Sequence, residues 1–302
     1  MMESAAAASP FQLSRFDAAP RNDVRATPAP RSIARLITLA LWSELALYPK
    51  PGLVSLRDAG AHVDMDATTF VRSLFALRHH FVAIAAAGSR AAPFAELREL
   101  GIRAEVAMLA ATDGVNTHRG AIFALGLLGA AAALASACGE SMTDDTLRST
   151  FVLQWGAAVD DFPRAHSTPS HGTEMTQRYG ATGARGEARA GFPAIFEVAL
   201  PALRAARRRG CDSRRARLAA FFALLENVED TNILYRGGRA GLMHVRDSAR
   251  SFGAAGGVDT PDAIARAEAI HRDFGVRGLS PGGCADLLAA ALFVDSLQAL
   301  AA

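Results

Sequence analysis

The chain has 302 residues, half of them hydrophobic and 21% charged, with 32 Lys plus Arg against 30 Asp plus Glu for a formal charge of +2. This composition excludes wholesale disorder, and the balance of charge lacks the basic excess that nucleic-acid binders carry. Three scattered cysteines, Cys138, Cys211 and Cys284, form no CxxC pair and point neither to a disulfide framework nor to a cysteine zinc site.

Residues 1–30 are rich in Ala, Ser, Pro and Arg and have no hydrophobic period. They read as a disordered tail, because a secretory signal needs an apolar core and Asp17 and Asp23 argue against a transit peptide. Beyond it, Ala and Leu fill the apolar positions, which favours close-packed helices over sheet. Apolar residues at i, i+3, i+4 and i+7, as in Ile33, Leu36, Ile37, Ala40 and Leu41, predict helices over 31–47, 67–87, 94–111, 119–138, 143–159, 187–209, 213–228, 239–252, 261–274 and 281–300. Strand alternation and fixed-period repeats are absent from the sequence. The uncharged run 120–138 is long enough to span a bilayer. Its Ala and Gly content fits a helix buried on all sides better. The reading is an all-α chain, one large helical domain of about ten helices over 31–302, cytoplasmic and not membrane-bound.

Polar signatures fall between these helices. Tyr48-Pro49-Lys50-Pro51-Gly52 ends a helix that carries Glu44, and Lys50 is the only lysine in the chain. Two prolines fix its backbone, and a sequence that otherwise spells positive charge as Arg keeps one compact ammonium there. In Gly60-Ala61-His62-Val63-Asp64-Met65-Asp66, Asp64 and Asp66 could share a hard cation while His62 touches a phosphate. The alternative is that Asp66 simply caps the next helix. Asn116-Thr117-His118-Arg119-Gly120 opens the apolar helix with Thr117 as the expected N-cap. Positive residues in a first turn oppose the helix dipole unless an anion is bound.

The stretch 164–186, rich in Gly, Ser and Thr, exceeds ordinary loop length and suggests a lid or a connector. Its Ser170-His171 pair is not read as a nucleophile and base, since adjacent side chains rarely face each other and no third member is identifiable. Arg185-Gly186-Glu187 then opens another helix. Asp230 and Asn232 could be oxygen ligands to Mg²⁺, hydrogen-bond a base or ribose, or form a structural Asx turn. Ser280 as N-cap, Pro281 at the first helical position and the pair Gly282-Gly283 make a helix start; the glycines serve either a bound phosphate or close helix packing. Neither a P-loop nor a GxGxxG motif occurs.

Five of these stretches, in order, resemble the triphosphoribosyl-dephospho-coenzyme A synthases: ELALYPKPGLVSLRDAGAHVDMD from Glu44, NTHRGAIFALGLL from Asn116, GARGEARAGFP from Gly183, DTNILYRGG from Asp230 and LSPGGCADLLAAALF from Leu279. The resemblance runs over about 31–300 and leaves the tail outside, and Cys284 stands where Ser is equally expected. Around the first motif it is similar to the branch that serves malonate decarboxylase rather than citrate lyase.

The resemblance implies transfer of the 5-triphosphoribosyl group of ATP to the 2′-hydroxyl of 3′-dephospho-coenzyme A, with release of adenine. The product is a prosthetic-group precursor destined for an acyl-carrier subunit, and a homodimer is compatible with it. Breaking an N-glycosidic bond develops oxocarbenium character that a carboxylate stabilises, and adenine leaves well only when protonated. On that basis Mg²⁺ is assigned to Asp64, Asp66 and Glu44, with Asp230 as a further candidate. Nucleotide and phosphate binding falls to Lys50, His62, Asn116, His118, Arg119, Arg185, Asn232, Ser280, Gly282 and Gly283, and catalysis to Glu187, Asp230 and Lys50. The pantetheine arm is placed near Phe192 and the stretch 164–186. Two other functions compete: a Mg²⁺-dependent nucleotide glycohydrolase, and a non-catalytic helical subunit that binds an acyl carrier.

Overall fold

A computed structural model describes residues 28–161 and 171–301, and the tail 1–27, Ser170 and the first part of the 164–186 stretch lie outside them. Every regular element described is helical: α1 Pro30–Leu45, α2 Ala67–Ser89, α3 Phe94–Ala111, α4 Arg119–Ala137, α5 Asp144–Phe151, α6 Ala158–Asp161, α7 His171–Tyr179, α8 Gly183–Arg189, α9 Leu200–Arg208, α10 Ser213–Asn227, α11 Thr231–Ala254, α12 Ala263–Val276 and α13 Gly282–Ala301. Short π-helical stretches, Val152–Gly156 and Ala194–Ala199, follow α5 and lead into α9. The all-α expectation holds.

α4 is the axis of the core. It packs against α2, α13, α5 and α1, and its residues from Ala121 to Ser136 are almost all buried. Length and composition alone would let it cross a membrane, but here the bundle covers it. Small residues set the spacing: a methyl added at Gly88 of α2 would collide with the Ala130 backbone, and one at Gly129 would come 2.7 Å from Ile37 Cδ1. The Ala- and Gly-rich sequence therefore stabilises close helix approach, which larger side chains would forbid.

Two predicted helices divide differently. The apolar period over 187–209 runs through a break at Gly191 (φ +74°) and Phe192 (φ +57°), where Glu187 Oε1 accepts the Ala194 N–H at 2.6 Å. Phe192 is fully buried against Phe151, so it offers no surface to a pantetheine arm. Residues 231–238, read as loop, form the first turns of α11, which kinks at Gly238 (φ +59°). The stretch 164–186 is not one loop either, since it includes α7 and the start of α8.

The long α1–α2 connection, 46–66, is tied down from outside. His271 of α12 donates through Nδ1 to Lys50 O at 2.7 Å and meets Asp58 Oδ1 through Nε2 at 3.0 Å. Gly52 (φ +71°) lies so close to the Leu279 carbonyl that any side chain would strike it. The Tyr48–Pro49 peptide is cis.

Candidate functional site

Glu44, in the last turn of α1, and Lys50 form an ion pair with exposures of only 4% and 1%. Burial pushes the Lys50 ammonium below and the Glu44 carboxyl above their ordinary ranges, and each is pulled back by the other. His118, 3% exposed at the start of α4, accepts or donates one hydrogen bond through Nδ1 with Ser73 Oγ at 2.6 Å. Its ring stands edge-on to Phe70. Burial, reinforced by the nearby Lys50 charge, lowers its pKa to about 3. It is a neutral imidazole at physiological pH.

Two aspartates close the cluster by accepting backbone N–H groups at helix starts. Asp230 caps α11 through Oδ1, which accepts from Asn232 N at 2.8 Å and Ile233 N at 3.3 Å, and its Oδ2 accepts from Cys284 N at 2.8 Å in the first turn of α13. Burial raises its carboxyl, and those three N–H donors counteract the rise. Asp286 of α13 accepts the Ala121 N–H at the start of α4, fitting beside Gly120, where any side chain would displace it. Burial first, then the charges of Glu44 and Asp230, hold the Asp286 carboxyl well above the usual carboxylate range. The N-termini of α4, α11 and α13 thus converge, and the chain's own carboxylates complement their dipoles. Among the three acids Glu44 and Asp230 are buried, whereas Asp286 keeps part of its surface open.

A second group flanks this cluster along 60–66 and 278–280. His62 Nε2 meets Ser280 Oγ at 2.7 Å, and its Nδ1 lies 3.3 Å from Asp64 Oδ1 and 3.2 Å from Arg236 Nη2. Burial, then the Arg236 charge, lowers the His62 pKa. Arg236 also reaches the Ala61 and Gly278 carbonyls at 3.4 and 3.3 Å, pinning the two loops together.

Residues 30–302 match the family model described as ATP:dephospho-CoA triphosphoribosyl transferase. The chain belongs to that family. It is 42% identical over 281 residues to the probable 2-(5″-triphosphoribosyl)-3′-dephosphocoenzyme-A synthase of Stutzerimonas stutzeri, covering 90% of this chain and 94% of that one. Against the proteins of the same name from Azotobacter vinelandii and Pseudomonas fluorescens (strain Pf0-1) it is 43% identical over 274 residues and 41% over 272, each covering 88% of this chain and 91% of the relative. No solved structure matches.

In this chain the predicted site residues separate into those the fold gathers and those it does not. Glu44, Lys50, His118, Asp230, Asn232, Gly282 and Gly283 come together around Asp286, while His62, Asp64 and Ser280 form the flanking group. Lys50 does not face solvent, because Glu44 takes up its ammonium. Both Asp230 oxygens accept backbone N–H groups, which ties the start of α11 to the first turn of α13. Methyls at Gly282 and Gly283 would lie 2.9 Å from Asn232 Nδ2 and 3.0 Å from Asp230 Oδ2, so these glycines make room for neighbouring side chains. Ser280 binds His62 instead of capping α13.

The conflict of charge at the start of α4 is resolved internally. His118 is neutral, and Arg119 pairs with Glu105 at 2.9 Å, so no bound anion is needed there. Asn116 Oδ1, rather than Thr117, accepts the Arg119 N–H at 3.2 Å, and the buried Thr117 hydroxyl has no partner among the described residues. Asp66 forms a capping box with Thr69, its Oδ1 accepting Thr69 N at 2.9 Å. Glu44, Asp64 and Asp66 therefore occupy three settings, and no group of three His, Cys, Asp or Glu among the described residues is placed to hold a metal ion. Arg185 is exposed on α8. Glu187 is raised by burial and surrounded by Ala194, Glu197 and Arg148, away from the partners of Lys50 and Asp230.

Asp286 is the residue that sequence reasoning passed over. The sign was present: it is the only acid in the last motif, and Gly120, which makes room for it, lies in the second. Nothing in the one-dimensional pattern connected the two.

Proposed function

We propose that the chain transfers the 5-triphosphoribosyl group of ATP to the 2′-hydroxyl of 3′-dephospho-coenzyme A, releasing adenine. The observation that carries the mechanism is Asp286: the one member of the acidic cluster that keeps part of its surface open, with its carboxyl pushed above the usual range by burial and by the charges of Glu44 and Asp230. In the transfer the C1″–N9 bond to adenine breaks and a C1″–O2′ bond forms. The proton that adenine gains equals the one the 2′-hydroxyl loses, and Asp286 relays it. Glu44 and Asp230 place negative charge beside the ribose as it becomes cationic, and Lys50 keeps that charge from overwhelming the cluster. The buried neutral His118 and Ser73 keep water from the inner wall.

Mg²⁺ is proposed to arrive with the triphosphate, because such sites commonly use only one or two carboxylates and complete the shell with phosphate and water. Asp64, exposed on the flanking loop, is the carboxylate of the predicted set not committed to a buried ion pair or a helix cap. The malonate decarboxylase branch is proposed on the residues around Glu44, Lys50 and Asp66, and loading of the product onto that enzyme's acyl-carrier subunit tests it. For the transfer itself, the chain is incubated with ATP, Mg²⁺ and dephospho-coenzyme A and analysed by mass spectrometry. Adenine and the coupled product are expected in equal amounts. Adenine released without dephospho-coenzyme A would mean a glycohydrolase, and no adenine at all would overturn the proposal.

A further inference from the structure

Behind the Lys50 segment, Ala46, Leu47, Tyr48, Arg57, Arg214 and Arg217 line a recess of about 420 Å³. Its three arginines lack carboxylate partners within ion-pair distance among the described residues. That sets them apart from Arg119, Arg148, Arg204, Arg207 and Arg209, each paired with an acid. Arg57 sits over the Tyr48 ring, 4.7 Å from its centroid, and Arg214 Nε donates to the Tyr48 carbonyl at 2.6 Å. Arg217 Nε is shut off from solvent and has no hydrogen-bond partner among the described residues.

The positions of these arginines add a second argument. Arg214 lies in the first turn of α10, whose N-cap Asp212 accepts the Arg215 N–H at 2.8 Å and forms no ion pair with the three guanidinium groups among the described residues. Three guanidinium groups without ion-pair partners around one hollow suit an anion with several oxygens, since each fork can hold a phosphate bidentately. The recess is linked to the acidic cluster through the Tyr48–Lys50 segment. Tyr48 is two residues from Lys50, and its ring meets His271 edge-on at 5.6 Å, the same His271 that holds the Lys50 carbonyl.

We propose that Arg57, Arg214 and Arg217 form a subsite for the phosphate chain of a substrate. The chemistry is that of a di- or triphosphate ester, which both ATP and dephospho-coenzyme A contain. The identity of the ligand rests on the transferase reading above; the affinity for a phosphate chain does not.

The test is calorimetric binding of pyrophosphate, ATP and dephospho-coenzyme A to the wild-type chain, to Arg214→Gln/Arg217→Gln, and to Arg72→Gln/Arg103→Gln, a control with the same loss of charge at exposed positions. The recess variant should lose about tenfold or more in affinity for pyrophosphate and for one substrate, with the control near wild type. Loss confined to dephospho-coenzyme A assigns the recess to its diphosphate, and loss confined to ATP assigns it to the triphosphate. Unchanged affinities, or equal losses in the control, overturn the subsite. In the wild-type chain, pyrophosphate should also protect Arg57, Arg214 and Arg217 from phenylglyoxal, mapped by mass spectrometry; absence of protection overturns it whether or not the variants fold. Pyrophosphate binding needs no turnover, so a chain that binds it in the recess yet releases no adenine would refute the transfer and leave the subsite standing.

Discussion

Replacing Lys50 with Met leaves the Glu44 carboxylate at 4% exposure without its counter-ion. Breaking a buried ion pair from one side costs about 3–5 kcal/mol, because the remaining charge keeps its desolvation penalty and loses its partner. Glu44→Leu in the same chain removes that charge. The double variant should recover most of the loss, since apolar residues of similar volume replace buried pairs at little net cost. The coupling energy from the full cycle should therefore be about 3 kcal/mol or more. Urea unfolding followed by far-ultraviolet circular dichroism measures it, with the fluorescence of Trp42 and Trp155 as a second probe. Adenine release provides the functional arm: both variants should be inactive, although the double variant is stable. Lys50→Arg is not a fold-neutral substitution here, because a larger head group in a filled site adds overpacking of about 1–3 kcal/mol. A Lys50→Met chain within about 1 kcal/mol of wild type, or a double variant no more stable than the single, would refute the buried pair as the centre of the cluster.

Further outcomes follow from the same geometry. His118 is held neutral with a pKa of about 3 against an ordinary 6.5, so as pH falls the unfolded chain takes up this proton first. Its contribution is fully present above pH 6.5 and is lost progressively towards pH 3, by about 2 kcal/mol between pH 8 and pH 5. His118→Gln should remove that part of the acid sensitivity in paired unfolding curves; an unchanged slope would count against the buried neutral ring. Asp286→Asn retains an acceptor for Ala121 N but has no acidic proton, so adenine release should fall about 10²–10⁴-fold with the melting temperature nearly unchanged, and near-normal turnover would remove Asp286 from the chemistry. Gly52→Ala combines a positive φ with a collision at the Leu279 carbonyl and should destabilise by about 2 kcal/mol or more in thermal unfolding. A wild-type melting temperature would mean that the 46–66 connection does not lie against Leu279 as described.

Much of the helical framework was legible because the cues for helix formation are local. The predicted helix 94–111 coincides with α3, and Asp66 was already visible as a cap because capping depends on a residue three positions away. The misses occur where a distant partner decides. The period over 187–209 continues unbroken through Gly191 and Phe192, but Phe192 turns into the core beside Phe151 and Glu187 crosses the break to hold Ala194. Thr117 has the composition of a cap, yet Asn116 performs that role for the Arg119 N–H. The fold brings Lys50, His118 and Asp230 together, but their surroundings come from distant elements: burial sets Lys50 in an ion pair with Glu44, keeps the His118 ring neutral, and engages Asp230 with the Cys284 N–H of α13.

The order of residues by itself determined that this chain is helical, that α4 is its apolar centre, and that five polar stretches interrupt the helices, because periodicity and capping act over a few positions. Tertiary structure decided which charges are compensated and which are open. Asp286 meets Gly120 and Ala121 across more than 160 residues of sequence, and its protonation depends on Glu44 and Asp230 from two other helices. Those distances close only when α1, α4, α11 and α13 pack together, and Coulombic and desolvation energies respond to separation in space rather than along the chain.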